Sequence, residues 1–187
     1  RHDPDSSRAM IGFSNNRWLL LALGHALTLF FATQANHYLS PTGIQLFVLG
    51  MLISFSALEL NYKQGLLSLA PVTLVIDSKI PLPFGFTFIT SIILFTIAHV
   101  LRSRVRREVT ASALATSVLL NLASFGAYTF GAMRYLGAEA IHFGPIALNL
   151  LASTLVVLML NRIFFDTQVG VLSIFGINLA EEQREAR

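Results

Sequence analysis

The sequence contains six long apolar windows, and this pattern limits the possible folds more than any other feature. A helix that crosses the ~30 Å hydrocarbon core of a bilayer needs about 20 predominantly apolar residues. Each window approaches that length and is bounded by turn residues or charges. The predicted spans cover 17–38, 44–60, 65–80, 86–101, 111–133 and 144–165. The sequence therefore predicts an all-α integral membrane protein with a single bundle of six transmembrane helices.

The composition argues against an ordinary soluble domain. Hydrophobic residues make up 54% of the 187 residues and charged residues only 12%, whereas roughly a quarter of the residues in soluble domains are charged. A water-soluble fold with so few charges would expose large apolar patches. The chain has no cysteine, so disulfides and thiolate metal sites are excluded.

A polar segment lies at each end of the predicted bundle. Residues 1–16 are polar and are expected to form a cytoplasmic tail. The six-helix domain covers 17–165, and 166–187 is expected to be a cytoplasmic or interfacial tail. The chain begins at Arg1 instead of Met, so we expect further residues upstream. The first apolar stretch is long for a signal peptide and lacks an A-x-A cleavage site, which favours a retained helix.

The distribution of basic residues predicts the orientation. Eleven of the thirteen Lys and Arg residues lie on the side that holds both termini, and only Lys79 and Arg134 lie on the other. Cytoplasmic loops carry this excess in membrane proteins, so both termini are predicted to be cytoplasmic. The cytoplasmic basic cluster comprises Arg102, Arg104, Arg106 and Arg107. We interpret this cluster as an orientation determinant that contacts anionic membrane lipid, and its place at a span end argues against nucleic-acid binding.

Asp77 is the charged residue of most interest inside the predicted spans, because charge in hydrocarbon is costly. It lies near the outer end of the third span. One interpretation is a proton or ligand contact within the bundle. The other is a carboxylate at a helix end that reaches interfacial water or pairs with Lys79 or Arg134.

Three further polar residues favour contacts between helices. His25 lies in the middle of the first span and is expected to form an interhelical hydrogen bond. Asn121 belongs to a polar stripe on the fifth span, and Asn149 belongs to a similar stripe on the sixth. In membranes such stripes usually join helices, although a lining for a substrate is the alternative.

Motifs for catalysis are missing from the sequence. It has no G-x-x-x-x-G-K-[ST] loop, no H-E-x-x-H metal motif and no G-x-S-x-G turn. Glu139 and His142 share the predicted outer loop, but a zinc site needs three or four ligands. We therefore expect a protein that is not an enzyme and that uses no cofactor and no metal.

The order of features along the chain is distinctive. Arg17 and Trp18 open a first span that reads LLLALGHALTLFFATQ, and a compact second span leads to a short polar connection and Gly65. Asp77 is followed by the segment PLPFG at 81–85.

The closing span, ALNLLASTLVVLMLNRIF at 147–164, has a small, polar start and a basic end. Together with the preceding landmarks it resembles the rod shape-determining protein MreD family, a membrane subunit of the bacterial cell-elongation complex. The resemblance covers about 17–165, which is nearly all of the predicted membrane domain.

This resemblance implies a scaffold that is a multi-pass protein of the bacterial inner membrane. Its partners would be MreC, the peptidoglycan synthase RodA with its penicillin-binding transpeptidase, and MreB on the cytoplasmic side. The candidates for packing or partner contact are Asp77, Lys79, Gly65, Pro83, Gly85, Asn121 and Asn149.

The alternative function is that of a substrate-binding membrane subunit of an energy-coupling small-molecule transporter, because such subunits are also six-helix proteins of this size. A ligand cavity under the outer loops distinguishes the two. The candidate lining residues are Asp77, Lys79, Glu139 and His142. They can meet only if the connections 77–85 and 134–145 lie together.

Overall fold

The computed structural model describes residues 17–102, 110–137 and 143–175, together with Ile177. These residues form six α-helices, one short 3₁₀ turn and no β-strand, which confirms the all-helical class. The helices are α1 (Arg17–Leu39), α2 (Leu49–Glu59), α3 (Tyr62–Asp77), α4 (Phe86–Leu101), α5 (Thr110–Leu136) and α6 (Phe143–Ile174). The 3₁₀ turn (Ser40–Thr42) follows α1 directly. The predicted tail 1–16 lies outside the described residues.

Three helices are long and apolar enough to cross a membrane, namely α1 with its 3₁₀ turn, α5 from Ala111 onward, and α6. They contain 26, 26 and 32 residues, and a helix of 26 residues is about 39 Å long. Their outward faces carry large exposed apolar side chains such as Phe31, Leu119 and Met159. These features indicate a membrane protein, whereas six crossings and the orientation stay predictions.

Helix α2 forms the centre of the core although it is the shortest helix. All ten residues from Leu49 to Leu58 are buried, and α3, α4, α5 and α6 pack around them. A helix that is apolar on every side is stable only where other elements cover it completely. The Phe55 ring meets those of Phe164 and Phe165 edge-on, with ring centroids 5.7 and 5.0 Å apart, a geometry that aromatic pairs prefer.

Small residues bring neighbouring helices close together around this core. Helix α1 packs against α3 and α6, α3 packs against α4, and α5 contacts α4 and α6. A Cβ added to Gly24 on α1 would overlap the Gln168 side chain on α6. A Cβ at Gly65 would lie only 2.6 Å from the Phe95 ring of α4. Glycine at these positions therefore permits the close helix packing that membrane bundles favour.

The second predicted span is only partly helical. We predicted a helix over 44–60, but residues 44–48 are not helical and α2 begins at Leu49. The 11 residues of α2 are about 16 Å long, which is half of a bilayer core. Non-helical residues reach up to about 3.3–3.6 Å each, so both parts together can still cover about 30 Å. The physical reason for the break lies in side chains of other helices, which bind this backbone.

The last helix extends past the predicted boundary at 165. Helix α6 continues to Ile174, and the N–H groups of Phe175 and Ile177 then donate to the Leu172 carbonyl at 3.2 and 3.0 Å. One stripe of α6 is buried, and it comprises Ser153, Val157, Asn161, Phe164, Gln168 and Leu172. Leu172 and Ile177 both belong to the hydrophobic core. The first part of the expected tail is therefore helical and packs on the bundle.

Candidate functional site

Residues 44–48, which we call the unwound segment, lack the internal hydrogen bonds of a helix. A backbone polar group that is buried without a partner costs free energy comparable to a lost hydrogen bond, so these groups need partners from elsewhere. Four side chains on three helices bind the segment and the start of α2. They are Asn36 on α1, Asn121 on α5, and Asn149 and Ser153 on α6. We call these four residues the polar clamp.

Asn36 binds both backbone groups of a single residue in the unwound segment. Its Oδ1 accepts the Leu46 N–H at 2.6 Å, and its Nδ2 donates to the Leu46 carbonyl at 3.0 Å. An asparagine amide offers one acceptor oxygen and one donor nitrogen. Asn36 therefore supplies both backbone partners that a helix would otherwise provide to Leu46.

Asn121 has the equivalent role at the start of α2. Its Oδ1 accepts the Gly50 N–H at 3.1 Å, and its Nδ2 donates to the Phe47 carbonyl at 2.9 Å. The first N–H groups of a helix have no partner within the helix. A Cβ at Gly50 would overlap backbone atoms of Asn121. Glycine at position 50 therefore lets α2 approach α5 closely enough for this amide to reach both groups.

The clamp is completed from α6. Asn149 Oδ1 accepts the Gln45 N–H at 2.9 Å, and Ser153 Oγ accepts the Phe47 N–H at 2.9 Å. Ser153 also donates to the Asn149 carbonyl at 2.6 Å within its own helix. Residues four apart share one face of a helix. The polar stripe of the sixth predicted span therefore faces the unwound segment.

Two basic side chains at the end of α4, one in its last turn and one directly after it, cover the opposite end of α2. His99 Nδ1 lies 3.2 Å from the Ala57 carbonyl oxygen, and Arg102 Nη1 donates to the Leu60 carbonyl at 2.8 Å. The last carbonyls of a helix lack internal partners and carry the negative end of its dipole. Arg102 therefore has a contact inside the bundle. The other members of the predicted basic cluster lie outside the described residues, namely Arg104, Arg106 and Arg107.

Asp77 is buried and binds the first turn of α4. Its two carboxylate oxygens accept the Thr87 N–H at 2.7 Å and the Phe88 N–H at 3.1 Å. It thus acts as an N-terminal cap from ten residues upstream, and the helix dipole favours its negative charge there. Within the described chain its carboxylate contacts backbone rather than Lys79 or Arg134.

The turn between α3 and α4 brings this helix terminus to Asp77. The Phe86 N–H donates to the Pro83 carbonyl at 3.0 Å, which closes a four-residue turn. Gly85 is the third residue of that turn and has φ of 93°, a conformation that favours glycine. A Cβ at Gly85 would meet no atom within 4 Å. Backbone conformation, rather than space, therefore accounts for glycine here.

His25 lies at the contact between α1 and α3 and is fully buried. Its Nδ1 is 3.4 Å from the Ser68 carbonyl oxygen. Because a carbonyl only accepts hydrogen bonds, this contact requires the proton on Nδ1. The ring also packs against those of Phe55 and Phe164, with centroids 6.4 and 6.1 Å away. His25 therefore contacts α3, α2 and α6 from α1.

A cavity of about 420 Å³ lies beside the unwound segment. Its walls come from α1, the unwound segment, the end of α3, α5 and the start of α6. The lining is mainly apolar, and its polar members include Asn36, Gln45, Lys79 and Tyr128. This volume falls within the range of small-molecule sites. Lys79 and Ile80, which follow α3, therefore line the same cavity as Pro145 and Ile146 at the start of α6.

The described residues offer limited material for catalysis or metal binding. No group of three or more His, Asp and Glu side chains converges in the described part of the chain. Two candidates from the sequence, Glu139 and His142, lie outside the described residues, and Asp77 does not line the cavity. The arrangement holds backbone in place beside a mainly apolar cavity.

Sequence reasoning missed three of the contacting residues. Neither Asn36 nor His99 was singled out as a site residue from the sequence. Arg102 was assigned only to a surface cluster. An asparagine near the end of an apolar span is the one signal that points to a backbone partner, because asparagine is otherwise costly there.

No family model, curated protein or solved structure matches this chain. The resemblance to the MreD family therefore rests on the sequence landmarks.

Proposed function

We propose that this protein is a non-enzymatic scaffold of the bacterial inner membrane, a subunit of the cell-elongation machinery like MreD. It binds MreC and helps to organise RodA and its penicillin-binding transpeptidase, with MreB on the cytoplasmic side. The observation that carries this proposal is that Asp77 and the polar clamp bind the protein's own backbone. Polar groups engaged in this way stabilise a bundle and leave its helix faces to contact partners.

The proposal includes six crossings with both termini in the cytoplasm. Helices α3 and α4 have 16 residues each, about 24 Å, and a bilayer adapts to short helices by local thinning. Helix α2 crosses together with the unwound segment. Lys79 and Arg134 are then the only Lys and Arg residues outside, and the other eleven lie inside, as the positive-inside rule favours.

An exposed face of α5 is the best candidate for partner contact. Leu119, Leu122 and Phe130 are exposed on this face. Gly126 lies between them, and a Cβ there would meet no atom within 4 Å. A small residue on an exposed apolar face allows another transmembrane helix to approach closely. We call this surface the α5 face and assign it to a membrane-spanning partner.

Capture from the native membrane tests the scaffold function. The tagged protein is solubilised in mild detergent, and the proteins that co-purify are identified by mass spectrometry. The expected partners are MreC and the peptidoglycan synthase, which is RodA with its penicillin-binding transpeptidase. A six-helix membrane protein with the same tag is the control bait. Failure to enrich MreC and the synthase over this control would contradict the proposal.

A pair of glycine variants tests the α5 face in the same assay. Gly126→Leu is expected to lower MreC recovery, and Gly144→Leu is the matched control because it also has open space around it. Both variants should keep the expression level and thermal stability of the native chain. Equal recovery from both variants would show that partners bind another face.

The cavity supports a second candidate function, that of a substrate-binding subunit of an energy-coupling transporter. Its volume of about 420 Å³ and its mainly apolar lining with a few polar groups resemble a small-molecule site. Under this function the capture experiment recovers an ATPase module instead of MreC. Native mass spectrometry would then show a bound small molecule, and filling the cavity with Ala132→Phe would release it.

A further inference from the structure

A long apolar groove lies between α1 and α3. Its volume is about 710 Å³, and its walls contain Trp18, Leu23 and Phe30 of α1 and Val75 of α3. From Trp18 to Thr33 it follows 16 residues of α1, and the distance along the helix axis between these two residues is about 22 Å. One leaflet of a bilayer contributes about half of the ~30 Å hydrocarbon core. The groove is therefore long enough for a complete acyl chain of one leaflet.

Lys79 lies at one end of this groove and carries the only charge on its described walls. The residue is exposed and follows α3 by two positions. No described carboxylate lies within ion-pair distance of its ammonium, and both oxygens of the nearby Asp77 accept hydrogen bonds from α4. The ammonium is thus available to an anion at the place where α3 leaves the apolar region.

We propose that this groove binds one anionic phospholipid, with its phosphate at Lys79 and one acyl chain between α1 and α3. The charge is complementary, because a cation marks the end of an otherwise apolar surface. Thr33, near the end of α1, also lines the groove, whereas apolar side chains line the rest of α1 toward Trp18. A phospholipid has the same order of groups, with a charged head followed by an apolar chain.

Leu29, Thr33 and Lys79 also line the cavity beside the unwound segment. The bound phosphate therefore lies where the groove meets that cavity. The lipid would cover the contact between α1 and α3 on the outside, next to the residues that carry the clamp. This site is independent of the scaffold function, because the α5 face lies on another helix.

Native mass spectrometry of the full chain tests the proposal. The purified protein is incubated with equal amounts of phosphatidylglycerol and phosphatidylcholine with identical acyl chains. The ratio of the two lipids in the first bound position is then measured. A basic residue near the membrane surface contributes about 1 kcal/mol toward an anionic lipid, which is about five-fold in affinity. The native chain is expected to prefer phosphatidylglycerol by about this factor.

Charge variants locate the headgroup. Lys79→Gln should lower the preference to about one, and Lys79→Arg should retain it. Arg134→Gln is the matched control, because Arg134 is the other basic residue predicted at this end and lines neither cavity. A preference that survives Lys79→Gln, or that Arg134→Gln removes to the same extent, would overturn the proposal.

Space-filling variants locate the acyl chain. Val75→Trp should fill the groove and reduce retention of both lipids several-fold, whereas Leu119→Trp on the exposed side of α5 should not. Circular dichroism checks that each variant keeps its helix content. Undiminished lipid retention by folded Val75→Trp would show that the chain lies elsewhere. The capture of MreC is a separate measurement, so either proposal can fail alone.

Discussion

Helices α2 and α6 are both strongly apolar, yet they occupy opposite environments. Ten of the 11 residues of α2 are buried, whereas only six of the 32 residues of α6 are. The buried residues of α6 recur every three or four positions and form one stripe. The comparison shows that apolar composition does not decide burial, since a long helix can face lipid but an 11-residue helix cannot cross the bilayer alone.

The two helices also differ at their termini. The ends of α2 lie inside the bundle, where Asn121 binds its first turn and His99 and Arg102 bind its last carbonyls. The end of α6 closes on itself, because the N–H groups of Phe175 and Ile177 donate to Leu172. A short buried helix therefore depends on side chains from other helices, and removing them should affect α2 far more than α6.

The largest expected effect follows from Gly50→Ala. Its Cβ would overlap the backbone of Asn121, so α2 and α5 must separate and the clamp must lengthen. We expect a loss of about 3 kcal/mol or more in the free energy of unfolding, the upper end of overpacking effects. Thermal unfolding in detergent, followed by circular dichroism, measures this loss. Gly126→Ala is the control and should change stability by less than about 1 kcal/mol. Equal unfolding midpoints for the two variants would refute the close contact between α2 and α5.

A second test compares two buried asparagines. Asn121→Leu leaves the Gly50 N–H and the Phe47 carbonyl without partners, which should cost roughly 2–4 kcal/mol. Asn161 on α6 is also buried, and its Oδ1 has no partner among the described residues. Asn161→Leu should therefore be neutral or stabilising. The midpoints of thermal unfolding distinguish the two variants. Similar losses of stability would mean that α2 and α6 depend equally on polar contacts.

Asp77→Ala extends the comparison to α4, whose first turn also depends on a distant side chain. Losing the acceptor for the Thr87 and Phe88 N–H groups should cost about 1–2 kcal/mol, and Asp77→Asn should cost less because it keeps one acceptor oxygen. In a growth and cell-shape assay Asp77→Ala should weaken function more than His25→Ala. Equal tolerance of the two alanine variants in that assay would contradict the prediction.

The smallest effect is expected from a pair of arginines. Arg102→Ala removes the donor to the Leu60 carbonyl at the end of α2 and should cost about 1 kcal/mol. Arg162 lies 3.7 Å from Asp166 on α6, and their side chains are 81% and 75% exposed. Arg162→Ala should lower the free energy of unfolding by less than about 0.5 kcal/mol, and added salt should remove this small loss. Equal and salt-sensitive losses would mean that Arg102 acts only as a surface charge.

The sequence predicted some helix boundaries closely and others poorly. The first and fourth spans were predicted at 17–38 and 86–101, and the structure has helices at Arg17–Leu39 and Phe86–Leu101. Turn chemistry bounds both, with Ser-Pro-Thr-Gly after the first and Pro83 to Gly85 before the fourth. Such local signals act within a few residues, so they can be recognised without knowledge of the fold.

The end of α6 shows where local signals fail. Residues 166–187 were predicted to be a tail, yet the helix continues to Ile174. Gln168 packs against Gly24 on α1, and Leu172 lies in the core. Whether these residues end a helix or extend it depends on a neighbour far away in the sequence.

The helical class and an apolar character suited to a membrane follow from the sequence alone, because composition and the spacing of breakers act locally. The sequence also indicated that Asn121 and Asn149 lie on polar stripes. The non-helical backbone at 44–48 and the central position of α2 become visible only in the folded chain. The residues IQLFV have no helix breaker of their own. Their backbone leaves the helix because Asn36, Asn121, Asn149 and Ser153, distant in sequence, offer hydrogen bonds that replace those of a helix.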